Sequence, residues 1–336
     1  MLDKAQLVEL LAQPQKIVIT THHKPDGDAM GSSLGLYNYL IQLGHHAKVI
    51  TPTDYPQFLE WMPGNGEVIV YTENKEEAEK LVAEAKIIFC VDFNALSRIN
   101  ELGSAVGKST AVKILIDHHL EPEDFDDYRY WNINACATAQ LIYTFIAGEL
   151  NHKELINKDV ATCLYVGIMT DSASFSLPNT TSDVHRITAD LMDAGAVNWH
   201  IYDLVYNSSD EKRLRFLGVC LSQHLEVLPE YNTAIITAGK QDLEKYGIAT
   251  GDTEGIVNYA LSIKGMRLAA FIVERTDRVK LSLRSKGEFP ANEICKKYFS
   301  GGGHRNAAGG YSNNSLEQVV NDFKQILPDY KNLLTQ

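Results

Sequence analysis

Short apolar runs alternate with helical-period stretches through the first half of the chain. Ile17-Val18-Ile19 and the stretches 47–50, 86–91 and 111–116 are runs of strand length, each closed by polar residues. Between them lie helical patterns. Residues 3–13 place Leu7, Leu10 and Leu11 on one face, and Met30, Leu34, Tyr37 and Leu40/Ile41 recur every three to four positions. The charged stretch 73–85 and the stretch 95–106 read as two further helices. Residues 51–66, with three prolines and two glycines, read as an irregular connection, and 121–130 as an acidic loop. Strands alternating with helices predict βαβ units and a parallel sheet. Helical patterns then follow, carrying Leu141, Ile142 and Phe145, then Val160, Leu164 and Ile168, then Val184, Ile187, Leu191 and Ala194.

The pattern changes after about residue 224. The stretch 231–237 reads as a strand. The stretches 266–274 and 278–284 flank Arg275-Thr276-Asp277 as a hairpin, with Val279, Leu281 and Leu283 facing one way and Lys280, Ser282 and Arg284 the other. A helix over 291–299, a glycine-rich segment over 300–310 and a last helix over 315–326 complete the chain. The expected fold class is α/β: an N-terminal parallel sheet with flanking helices over residues 1–195, a helical connector over 196–223, and a smaller C-terminal α/β domain over 224–336. A length of 336 residues agrees with two domains.

Three polar clusters fall where strands end. His22, Asp26 and Asp28 follow the first strand, Asp92 the third, and Asp117-His118-His119 the fourth. Open parallel sheets hold their ligands at that edge. Imidazole and carboxylate together suit Mn²⁺ or Zn²⁺. A solvated loop with Asp26 or Asp28 as a helix N-cap accounts equally well for the first cluster alone. A turn with exposed imidazoles is the competing account of Asp117-His118-His119. With Asp171 at the end of a later helix, the inventory matches a pair of divalent ions about 3.5–4 Å apart with a bridging carboxylate.

Charge and cysteine content narrow the class. The formal net charge is −12, and no basic stripe for tracking a long polyanion is present. The five cysteines are scattered within apolar segments, which predicts buried thiols. No apolar run approaches membrane-span length, and Met1-Leu2-Asp3-Lys4 opens without a basic region leading into an apolar one. No membrane association is expected, and the expected location is cytoplasmic.

These motifs resemble those of the DHH-family phosphoesterases with a C-terminal DHHA1 domain. His22-x-x-Pro25-Asp26-Gly27-Asp28-Ala29, Val91-Asp92, Asp117-His118-His119 and Gly167-Ile168-Met169-Thr170-Asp171 resemble the four motifs of the first domain. Gly301-Gly302-Gly303-His304 with Ala307-Ala308-Gly309 resembles the phosphate-binding motif of the second. The resemblance implies two divalent ions, Mn²⁺ first and Mg²⁺ or Zn²⁺ as alternatives. His22, Asp26 and Asp92 would hold one; Asp28, Asp92, His118 and Asp171 the other. His119 would face the substrate phosphate, with Arg98, Arg284, Gly302, Gly303 and His304 as further substrate contacts in a cleft that closes.

The two-domain size is similar to the nanoRNase/pAp phosphatase subgroup. That likeness implies partners that are short single-stranded oligonucleotides of about two to five nucleotides, not long duplex DNA, in keeping with the missing basic track. It also implies dephosphorylation of 3′-phosphoadenosine 5′-phosphate (pAp), and allows a homodimer. Alternatives are a phosphodiesterase for linear or cyclic di-adenylates (pApA, c-di-AMP), a polyphosphatase or pyrophosphatase, and a nucleotide-binding module without catalysis. The sequence departs from the family pattern at Lys24, where Asn is common, at Ser300, which precedes only three glycines, and at Ser172-Ala173-Ser174.

Overall fold

A computed structural model describes residues 2–249 and 251–335. The chain forms two compact units divided between Ser208 and Ser209. The stretch 196–223 is therefore shared between the two.

In the first unit the elements run α1 (Lys4–Leu11), β1 (Lys16–Thr20), α2 (Gly27–Gln42), β2 (His46–Thr51), β3 (Val68–Val70), α3 (Lys75–Glu84) and β4 (Ile87–Val91). They continue with α4 (Leu102–Lys108), β5 (Val112–Asp117), β6 (Tyr128–Trp131), α5 (Thr138–Thr144), α6 (Lys158–Asp171), α7 (Ser182–Asp193) and α8 (Asn198–Tyr206). The sheet is parallel throughout, in the order β3-β2-β1-β4-β5-β6. Both faces are covered, and the strand alternation shows how. Ile17, Ile19, Phe89, Ile114 and Ile116 enter one core, while Val18, Ile88, Cys90 and Leu115 enter the other. All five cysteines are free and buried.

Two strands of this sheet escape the sequence pattern. β3 has three residues and β6 four, too short for alternation to register, and β6 sits inside the stretch read as an acidic loop. Nor is 95–106 one helix. A 3-10 turn over Leu96–Ile99 ends at Asn100, whose φ of 51° breaks the helical path before α4.

The strand order reverses between the paired strands β1 and β4, so the connections after them leave in opposite directions, the place where open parallel sheets bind ligands. α2 packs closely along α6, with glycines of α2 against the backbone and side chains of α6. A Cβ on Gly31 would lie 2.6 Å from the Cys163 carbonyl oxygen, and one on Gly167 would lie 2.9 Å from Asp28 Oδ1. Glycine here lets two backbones approach, which brings Asp28 and Asp171 to one place.

The second unit holds α9 (Glu211–Gln223), β7 (Leu225–Leu228), β8 (Thr233–Ala238), α10 (Lys240–Tyr246), α11 (Ile256–Leu261), β9 (Leu268–Glu274) and β10 (Val279–Ser285). It ends with α12 (Ala291–Tyr298), β11 (Gly302–His304), β12 (Ala307–Ser312) and α13 (Leu316–Thr335). Its sheet is mixed, in the order β11-β12-β10-β9-β8-β7, with only β8 and β9 parallel. Leu268, Ala270, Ile272, Val279, Leu281 and Leu283 build one core under α12 and α13. α13 continues past the expected end at 326, through Pro328, because Leu327 and Leu334 are buried on its inner face. Burial there outweighs the backbone hydrogen bond that proline forgoes. In the glycine-rich segment β11 and β12 form a hairpin whose second strand pairs with β10.

Candidate metal centre

The three polar clusters converge at the C-terminal edge of the parallel sheet. Asp92 directly follows β4, and its N–H continues the ladder to the Ile116 carbonyl at 3.1 Å. Its φ is +63°, a left-handed position that Asp tolerates better than most residues and that recurs at functional sites. His22 lies two residues past β1, and His118 and His119 follow β5. Asp26 is the N-cap of α2, its Oδ1 accepting from the N–H groups of Asp28 and Ala29 at 3.0 and 3.1 Å. The capping account of this loop is therefore observed, and it leaves Asp26 Oδ2 outside the cap.

Each imidazole is anchored through Nδ1. His22 Nδ1 donates to the His23 carbonyl at 2.9 Å, His118 Nδ1 to the Ala135 carbonyl at 3.1 Å, and His119 Nδ1 to Asp117 Oδ1 at 2.8 Å. This fixes the tautomers and leaves Nε2 as the presented atom. His22 Nε2 lies 3.4 Å from Asp92 Oδ2 and 3.9 Å from Asp26 Oδ1. His118 Nε2 lies 3.6 Å from Asp92 Oδ1, 3.8 Å from Asp28 Oδ2 and 3.5 Å from Asp171 Oδ2. Donor groups result at His22–Asp26–Asp92 and at Asp28–Asp92–His118, and Asp92 belongs to both, as it does to a third group with Asp117 and His119.

The donor set fits divalent ions on two counts. First, these nitrogen–oxygen spacings exceed hydrogen-bond length. They come close to the separation of neighbouring ligands around one ion, roughly 3.0–3.4 Å for donors about 2.1 Å from it. Second, the electrostatics call for positive charge. Burial, with Asp28 and Asp26 close by, lifts the Asp92 carboxyl well above the ordinary range. Burial also raises Asp28, despite His118 and two backbone N–H donors. Burial opposes a charge on His118, yet Asp171, Asp28 and Asp92 together hold its pKa up at about 9. Buried carboxylates this close to one another are what bound cations neutralise.

The surroundings contain residues the sequence did not single out. Asp28 accepts from the N–H groups of Thr138 and Ala139 at 2.6 and 2.9 Å and from the Ser32 hydroxyl at 3.1 Å. The Thr138 hydroxyl donates to Asp92 Oδ1 at 2.8 Å. The only sequence signal for Thr138 is a small polar residue opening an apolar run. Trp131 donates its indole N–H to the His119 carbonyl at 2.7 Å.

Arg98 sits on the 3-10 turn after β4, and its carbonyl accepts from the His23 N–H at 2.8 Å and from His23 Nδ1 at 2.9 Å. Its Nε is buried without a hydrogen-bond partner among the described residues. Burial, with the positive charges of His118 and Arg98, keeps His119 below the ordinary imidazole range against the pull of Asp117.

In the second unit, sheet register gathers the remaining expected residues. Arg284 on β10 is opposite Ala307 on β12, which is opposite His304 on β11. The next row on the same face is Ser282, Gly309 and Gly302. Residues directly opposite share a face, so Arg284 and His304 flank a floor of glycine and alanine. Gly303 has φ +131°, and a Cβ on it would meet the Ala307 carbonyl oxygen at 2.6 Å, so this glycine is needed for the hairpin itself. A Cβ on Gly302 would meet nothing within 4 Å, so this backbone is open to approach.

Comparison with known proteins agrees with this architecture. Residues 16–168 match the DHH family, N-terminal domain, and residues 232–331 match the DHHA1 domain. A bifunctional oligoribonuclease and PAP phosphatase, NrnA, of Thermus thermophilus is 32% identical over 91% of this chain and 88% of its own length. The Bacillus subtilis protein of the same name is 25% identical over 94% of this chain and 96% of its own. Among solved structures, an exopolyphosphatase-related protein from Bacteroides fragilis superimposes with a TM-score of 0.95 at 40% identity, covering 99% of this chain and 97% of that one. Among the described residues no helix is long and apolar enough to cross a membrane.

Proposed function

The chain belongs to the DHH family and carries its DHHA1 domain, and from that premise we propose that it is a metal-dependent phosphoesterase. Its proposed substrates are short oligonucleotides, trimmed to mononucleotides, and pAp, which loses a phosphate. The observation that carries this reading is the sharing of Asp92 between two imidazole–carboxylate groups. The activities in the names of the relatives supply the substrate class.

In this reading His22, Asp26 and Asp92 hold one divalent ion, and Asp28, Asp92, His118 and Asp171 the other. Mn²⁺ is the proposed ion, because nitrogen donors mix with oxygen donors in the set. Bound divalent ions supply an acidified water and neutralise charge on phosphoryl oxygens. His119, held on Asp117 through Nδ1–H, faces the substrate phosphate and stabilises charge on a phosphoryl oxygen when Nε2 is protonated as well. Arg98, on the turn after β4, is a further contact to the substrate. In the second unit, Arg284, His304 and the open backbone at Gly302 bind phosphate.

The test is a panel of 5′-labelled oligomers from two to about ten nucleotides, together with pAp, pApA and polyphosphate, incubated with Mn²⁺ or Mg²⁺. Rapid turnover of pAp and the shortest oligomers, lost on chelation, is the expected result. Full activity after exhaustive chelation contradicts the metal reading. A preference for polyphosphate or for long strands contradicts the substrate reading.

A further inference from the structure

The metal-centre reading leaves one buried hydroxyl with a role of its own. Thr138 is fully buried at the start of α5. Its N–H bonds Asp28 Oδ2 and its hydroxyl bonds Asp92 Oδ1, so one residue touches a carboxylate from each of two distant chain segments. Asp92 is held by its backbone, through the ladder bond to Ile116 and a left-handed φ. Rotation of its carboxylate group is held by something else. His119 Nδ1 stands 3.7 Å from Asp92 Oδ1 but donates to Asp117 at 2.8 Å. The Thr138 hydroxyl is at hydrogen-bond distance, is neutral, and occupies one of the roughly four lone-pair positions a carboxylate offers. The others stay available.

We propose that Thr138 is a positioning residue of the metal centre. Its hydroxyl fixes the rotation of the Asp92 carboxylate, so that Oδ2 faces the His22 group and Oδ1 faces the His118 group. Groups behind a ligand orient it, and losing one weakens metal binding by about ten- to a hundredfold. The proposal rests on the reading of Asp92 as the shared ligand.

The experiment compares Thr138→Ser with Thr138→Ala, which differ only by the hydroxyl, in calorimetric titrations of the full chain with Mn²⁺. Thr188→Ala is the control. It removes another buried hydroxyl of the same unit, one that donates to the Val184 carbonyl at 2.8 Å. The Ser variant is expected to bind Mn²⁺ like the unmodified chain. The Ala variant is expected to bind about ten- to a hundredfold more weakly, and Thr188→Ala is expected to bind normally. Equal affinities for the Ser and Ala variants overturn the proposal. So does a Thr188→Ala variant weakened as much as Thr138→Ala, because affinity would then merely follow stability. An unmodified chain that takes up no Mn²⁺ overturns the metal-centre reading itself, and this role with it.

Discussion

The two sheets of this protein carry their chemistry in different places. In the first unit both faces of a parallel sheet are buried, so polar side chains gather beyond the strand ends, on loops and helix starts. In the second unit the face shared by β10, β12 and β11 is not fully covered, and its polar residues project from the strands themselves. The difference follows from strand direction. Parallel strands require crossover helices, which cover the faces and leave only the edge, whereas antiparallel hairpins can leave a face to solvent. The first arrangement suits buried ligands that must not move, and the second suits contacts to a substrate that comes and goes.

The largest break in this comparison comes from Asp92→Asn, which removes the charge both donor groups share. Losing one partner from a buried charged set costs about 3–5 kcal/mol, or roughly two to four orders of magnitude if it falls on the rate. Turnover should fall by at least that on every substrate, p-nitrophenyl esters included, as steady-state kinetics will show. Arg284→Ala and His304→Ala come next. Each removes a charged or polar contact worth about 1.5–3 kcal/mol, so pAp and dinucleotides should slow by roughly ten- to a hundredfold. A p-nitrophenyl diester should be nearly unaffected, and Mn²⁺ binding unchanged. Metal loss in either variant would dissolve the division between the two sheets.

Smaller effects sharpen the same contrast through glycine. Gly31→Ala forces a Cβ against the α6 backbone and should destabilise by about 1–3 kcal/mol, read as a lower melting temperature. Gly302→Ala meets nothing and should melt normally while weakening phosphate binding. The smallest effect is expected at Ala173, where φ is +48°. Left-handed geometry costs a residue with a Cβ about 1–2 kcal/mol, partly offset by glycine's greater unfolded-state freedom. Ala173→Gly should therefore stabilise by about 0.5–1 kcal/mol in denaturant titration.

What the sequence makes legible follows from physical range. β1, β2, β4 and β5 are readable because both faces are buried and the runs are continuous. β3, β6 and β7 are not, since three or four residues hold too little pattern. The β11–β12 hairpin is readable only as a glycine-rich turn, because glycine has no side chain to alternate and mark the strands. The chemical groups at the strand ends are legible as types, because His and Asp have few other reasons to cluster there. Thr138 and Asp117 act through other residues, over 46 positions to Asp92 and two to His119. Asp117 is legible as part of the Asp117-His118-His119 run, whereas nothing beyond a small polar residue opening an apolar run marks Thr138.

The account stands on Asp92 serving two ions at once. The most direct test is the stoichiometry of Mn²⁺ bound per chain, measured by equilibrium dialysis and elemental analysis on the unmodified protein and on Asp92→Asn. The account predicts two equivalents on the unmodified chain, as a bridged pair requires, and less than one on the variant. Two equivalents retained by Asp92→Asn would contradict it.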